Sequence, residues 1–249
     1  MRSGPFAAWV SAWLAGKASP DEVLLAVTGH DAPHRVRGVA ASDDLVPLSR
    51  VLIEWRATAP AVRLVLPVPG DVRGLPGPAA FRRAAIEAGE ALFGGGLGLV
   101  PNVQEHAPSS APPTVVWQAY EVTEAAPDFY SVAEAQHELT AAVRETASAL
   151  TATQLTGSMR DVRDALGRAR WAGVRLNLPP GHPAGAVRLV AQAQRLRAVV
   201  ALAQQDPTGG AVGAAGITAR SEALRGLATA VRRALIAGYN APATAQAAH

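Results

Sequence analysis

Residues 62–103 read VRLVLPVPGDVRGLPGPAAFRRAAIEAGEALFGGGLGLVPNV, and the order of elements in this stretch decides the fold. Residues 62–68 form a near-continuous apolar run closed by Pro69-Gly70, the pattern of a strand buried on both faces. Residues 79–93 follow as a helix terminated by Gly94-Gly95-Gly96, and residues 97–103 read as a second strand. Strand, helix and strand in this order predict a βαβ unit with a right-handed crossover and parallel strands. A third strand, TVVWQAYEV, is expected at 114–122, beyond the Pro- and Ser-containing loop 107–113.

Upstream, helices are expected at 5–15, 20–27 and 47–57, with a short strand at 35–39. Ser19, Pro20 and Glu22 supply an N-cap, an N1 proline and an N3 carboxylate for the second helix. Leu48, Val51, Leu52 and Trp55 share one face of the third. From Ser131 onward there is no strand pattern. Ser131 and Glu134 form a capping box for a helix that reaches 157, and further helices are expected at 158–173, 184–205 and 218–239. The stretch LNLPPGHP at 176–183 cannot be helical. The fold class is therefore α+β. An N-terminal α/β part, residues 1–128, holds a small mixed sheet of about three strands with a βαβ unit. An all-α four-helix region follows at 129–240, and then a tail at 241–249.

The chain has 249 residues and no cysteine, which removes disulfides, thiolate nucleophiles and Cys-based zinc sites. No stretch approaches the roughly 20 apolar residues that span a bilayer. The apolar segment 6–15 after Arg2 resembles the core of a secretory signal. The helix start at Ser19 argues against cleavage there, and the spacing of Phe6, Trp9 and Trp13 suits core packing. Residues 1–128 carry ten basic and thirteen acidic side chains, net −3, whereas 129–249 carry thirteen and seven, net +6. Of the 23 basic residues, 22 are Arg and one is Lys17. Together with abundant Ala, Gly and Pro, this composition fits a GC-rich genome as well as it fits anion recognition.

No catalytic motif stands out, and no cofactor is implied. Gly94-Gly95-Gly96-Leu97-Gly98 follows a helix and precedes a strand, the reverse of a dinucleotide fingerprint, so it reads as a helix cap and tight turn. His30 and His34 are separated by Pro33, and His106, His137, His182 and His249 are scattered, so they read as surface histidines and no metal site is expected. The strongest candidate for a ligand or anion is the loop 69–78, beyond the carboxyl end of a strand expected to be parallel. Gly70 and Gly74 permit close backbone approach, Asp71 accepts hydrogen bonds, and Arg73, Arg82 and Arg83 gather near a helix start. In the second half, Arg160, Arg163, Arg168 and Arg170, then Arg188, Arg195 and Arg197, then Arg220, Arg225, Arg232 and Arg233 could meet phosphate. They occupy several faces, Asp161 and Asp164 interrupt the first group, and no aromatic residues interleave them.

The stretches RLVLPVPGDVRGLPGPAAFRRAAIEAGEALFGGGLGLVP, RLNLPPGHPAGAVRLVAQAQRL and LATAVRRALIAGYNA resemble an uncharacterised family of hypothetical proteins from high-GC Gram-positive, actinobacterial bacteria. The resemblance covers nearly the whole chain. It implies a bacterial cytoplasmic protein and carries no activity or active-site residue. The leading functional expectation is a non-enzymatic interaction or regulatory protein whose helical half meets a protein partner or a second copy. The alternatives are a small-molecule or anion binder at the loop 69–78 and an Arg-mediated nucleic-acid binder.

Overall fold

The computed structural model describes residues 1–39, 44–58, 60–105, 111–123, 130–152, 176–205 and 214–242. The chain divides into two compact units. The first comprises residues 1–129, 177–183 and 239–249, and the second comprises 130–176 and 184–238.

In the first unit the order is α1 (Ser3–Leu14), α2 (Pro20–Thr28), β1 (Arg35–Arg37), β2 (Val46–Pro47), α3 (Ser49–Thr58), β3 (Arg63–Val65), α4 (Ala79–Ala88), β4 (Ala91–Gly94), β5 (Leu97–Gln104) and β6 (Thr114–Glu121). The strands form one mixed sheet of six, in the order β2-β1-β6-β5-β4-β3. This is twice the expected number. The pair β1 and β6 is parallel, and every other neighbouring pair is antiparallel.

The expected βαβ unit is absent from this sheet. β3 does not pair with β5; both pair with β4, antiparallel, and β3 stands at the sheet edge. The reason lies in residues 89–96. Gly89 takes a left-handed conformation, φ 68°, and ends α4 there. The apolar residues Ala91, Leu92 and Phe93, whose spacing could continue the helix, then form a strand with Ala91 and Leu92 fully buried. Gly95 and Gly96, with φ 59° and 79°, make the two-residue turn between β4 and β5, a role that requires positive φ twice. The glycine run makes the expected tight turn, but between two strands and not as a helix cap, which falls at Gly89.

Each face of the sheet has its own cover. On one, Leu64, Leu92, Leu99, Ala119, Trp117 and Val36 share register positions, and the Phe6 ring lies 5.2 Å from Trp117 and 5.7 Å from Trp55. On the other, Val65, Ala91, Val100 and Val122 pack with Phe81 and Ala85 of α4 and with Leu75. Helix α1, whose apolar face was expected to pack, does so through Phe6, Val10 and Trp13. Its N-terminus is capped from a distance: Arg2 N and Ser3 N donate to the Glu90 carboxylate at 2.8 and 2.7 Å. Helix α2 carries the expected capping box between Ser19 and Glu22.

Two asparagines tie later segments into this unit. Asn177 accepts from Trp9 Nε1 at 2.8 Å and donates to Ala26 O. Asn240 accepts from Leu64 N at 2.7 Å and donates to Leu64 O at 3.0 Å, so its amide takes the place of a neighbouring strand at the β3 edge.

The second unit contains α5 (Val132–Ala152), α6 (Ala184–Gln205) and α7 (Ala214–Tyr239), the last reaching the first unit at Tyr239. The Ser131/Glu134 capping box opens α5 as expected. Gln136 of α5 donates to Gln192 of α6 at 3.1 Å. At Gly238, α7 comes so close to α6 that a Cβ would lie 2.5 Å from Val190 Cγ2. The helix expected at 158–173 lies outside the described residues, whereas 176–183 is non-helical as expected. Among the described residues no helix is long and apolar enough to cross a membrane.

Candidate functional site

The loop 69–78 turns back on itself at once. Val68 and Asp71 exchange backbone hydrogen bonds of 3.1 and 2.9 Å around Pro69-Gly70, where Gly70 has φ 85°. Arg73 donates through Nε and Nη2 to the two oxygens of Asp71 at 2.9 and 3.1 Å, a bidentate pair inside the loop. Gly74, φ 69°, redirects the chain so that Leu75 enters the core. Arg82 donates Nε to Pro76 O at 3.2 Å, and Arg83 is exposed on α4. Of the six residues only Asp71 and Arg73 bond each other, and because β3 is antiparallel to its neighbour the parallel-strand argument that selected this loop does not apply to it.

The histidines are not all on the surface. His34 is 4% exposed and lies in a chain of polar contacts across the first unit. Trp117 Nε1 donates to His34 Nδ1 at 3.2 Å, which leaves Nε2 to carry the proton and donate to Asp31 Oδ2 at 3.2 Å. Arg2 donates to both oxygens of Asp31, at 2.6 and 3.0 Å. Both imidazole nitrogens are therefore engaged, and the group holds structure rather than moving protons. Burial pushes the His34 pKa down, outweighing the pull of Asp31, and the Arg2 guanidinium holds Asp31 below the ordinary carboxylate value. A histidine with a depressed folded pKa binds its proton more readily when unfolded. Stability is therefore full above the unfolded value of about 6.5 and falls as the pH drops through it. The Asp31 contribution is lost in a separate step below a pH of about 4. Urea melts across this range should show both declines, and His34→Gln, which preserves an acceptor and a donor without titrating, should remove the first. An unchanged slope between pH 7 and 5 in that variant would contradict the assignment. Among the described residues no group of three His, Asp or Glu is placed to hold a metal ion.

Two arginines of the second half are spent inside the helical unit. Arg220 is buried and donates Nη2 to Ala203 O at 2.9 Å; Arg233 pairs with Glu138 and lies 5.2 Å from the Tyr130 ring centre. Arg188, Arg195, Arg197 and Arg225 are exposed, and the group from Arg160 to Arg170 lies outside the described residues.

A cavity lies between α5 and α7 in the helical unit, a groove of about 500 Å³. Ala141, Ala142 and Ala149 of α5 face Ala223, Gly226 and Ala230 of α7 across it. These small side chains leave the space; at Gly226 a Cβ would meet nothing within 4 Å. Thr146 is buried and donates to Ala223 O at 3.3 Å, linking the two helices. Glu138, Glu145 and Glu222 lie in the lining, the first paired with Arg233 and the last with Arg225. The sequence alone did not reveal this groove, because its two walls lie some eighty residues apart.

The molecule is thus an α+β protein of a mixed-sheet unit and a grooved helical unit. It belongs to the Rv1486c-like protein family: the family's N-terminal domain matches residues 3–132 and its C-terminal domain residues 133–236. It is similar to the uncharacterized protein Rv1486c of Mycobacterium tuberculosis, 31% identical over 78% of this chain and 80% of that protein. It is also similar to the uncharacterized protein ML1804 of Mycobacterium leprae, 28% identical over 94% of each chain. The family is actinobacterial, as the resemblance implied, and these relatives carry no activity to transfer. No solved structure matches the chain.

Proposed function

We propose that the chain is a non-enzymatic interaction protein of the bacterial cytoplasm that receives an α-helix in the groove between α5 and α7. The observation that supports this reading is the groove itself, with an alanine and glycine floor and three glutamates in its lining. Small residues let a helix backbone approach closely, and carboxylates favour a basic flank over an acidic one. Substitution of Gly226 by Trp fills the groove where nothing opposes a new side chain, and removing glycine from a helix costs no stability. Affinity capture from a native lysate should retain a partner on the parent chain and lose it on Gly226→Trp, with the thermal melt unchanged. Capture of nothing by the parent, or equal capture by both, would contradict the reading.

A further inference from the structure

Helix α6 buries Leu189, Val190, Ala193 and Val200 on one side, and its other side carries a second pattern. Ala184, Ala191 and Ala198 recur every seven residues, and Arg188, Arg195 and Leu202 recur at the same interval between them. That is the spacing of a seam along which helices pack. Arg188, Arg195 and Ala198 are exposed, and Leu202 is 40% exposed. The 22 residues of α6 include three arginines, the third being Arg197, and no aspartate or glutamate. Among the described residues none of the three forms an ion pair. The groove offers the complementary features. It follows α5 from Glu138 to Ala149, roughly 16 Å at 1.5 Å per residue, and the seam from Arg188 to Ala198 covers about 15 Å. With Glu138 paired to Arg233 and Glu222 to Arg225, Glu145 is the carboxylate of the lining without an ion pair among the described residues. Glu138 and Glu145 are seven residues apart, as are Arg188 and Arg195.

Resting on the reading of the groove as a helix-receiving site, we propose that the helix it receives is α6 of a second copy of this chain. Ala191 and Ala198 let the seam sit close on the alanine and glycine floor, and Arg195 reaches Glu145. The contact joins two different surfaces, so a pair of copies keeps one free groove and one free seam, and association continues head to tail.

The full-length chain, 25.6 kDa, is followed by sedimentation velocity over a concentration series, with cooperative melting to check that each variant is folded. The proposal expects a mean mass that rises with concentration and falls with added salt. Gly226→Trp blocks the groove, and Arg188→Glu/Arg195→Glu reverses the charge of the seam. Each should weaken self-association at least about tenfold, since a filled groove or like charges then meet the incoming helix. Mixing the two variants tests the pairing of surfaces. One still offers a seam and the other a groove, so together they should form complexes of two copies that grow no further. Glu145→Arg should also dissociate the chain, and Arg195→Glu added to it should restore association. A parent chain that stays monomeric throughout would overturn the proposal. So would association that survives either blocked surface, or a mixture that stays monomeric. If in that case Gly226→Trp still abolished partner capture from the lysate, the groove would remain a helix site for a different protein. If capture were unaffected as well, the helix-receiving role would fall with the proposal.

Discussion

Truncating Trp117 to alanine is expected to lower the unfolding free energy by about 3–5 kcal/mol. The residue is fully buried in β6, with register partners Val36 on β1 and Pro101 on β5, and its ring meets Phe6 of α1 edge-on at 5.2 Å. One side chain therefore joins two strand pairs to a covering helix. Its removal opens a cavity among Phe6, Val36 and His34. It also leaves His34 Nδ1 without its donor. Trp117→Phe separates the two effects. It keeps most of the apolar area but loses the hydrogen bond, and should cost about 1–2 kcal/mol. Urea denaturation followed by circular dichroism measures both. A loss below about 1 kcal/mol for the alanine variant would mean that Trp117 does not join these layers.

The elements that could be read from sequence are those whose signals are local. Two Ser-x-x-Glu boxes, at Ser19 and Ser131, place helix starts correctly because the capping hydrogen bonds span three residues. The start of α6 at Ala184 follows Pro183, as the proline-rich stretch before it implies. β4 could not be read in this way. Its four residues continue the apolar spacing of α4, and only the left-handed turn at Gly89 and pairing on both sides make them a strand. β2 has two residues and exists only through its partner β1. Once β4 separates β3 from β5, the parallel unit cannot form, and the reason for placing a ligand beyond β3 goes with it. The Asp71–Arg73 pair in the candidate loop is local, two residues apart. The His34 network and the groove are not local: His34 and Trp117 are 83 residues apart, and Thr146 and Ala223 are 77 apart. Nothing in either local sequence marks the pairing.

The same distinction explains what the family-like stretches are for. RLNLPPGHP contains Asn177 and AGYNA contains Asn240, and each asparagine is spent on backbone or indole groups of the first unit. Asn240 carries the larger consequence. Leu64 is fully buried, and its N–H and C=O are both bonded by the Asn240 amide. Tyr239 beside it is 1% exposed and packs so closely on α1 that a Cβ at Gly4 would lie 2.8 Å from its Cε2, which fixes where residue 240 emerges. Asn240→Ala leaves a buried donor and a buried acceptor unsatisfied and should cost about 2–4 kcal/mol. Asn240→Asp keeps the acceptor for Leu64 N but sets a carboxylate oxygen against Leu64 O, so it should not restore the parent's stability. Hydrogen exchange supplies the residue-specific readout. In Asn240→Ala the Leu64 amide should lose its protection, while amides in the β5–β6 ladder retain theirs relative to the new global stability. If Leu64 stayed protected in the alanine variant, Asn240 would not be what closes the β3 edge.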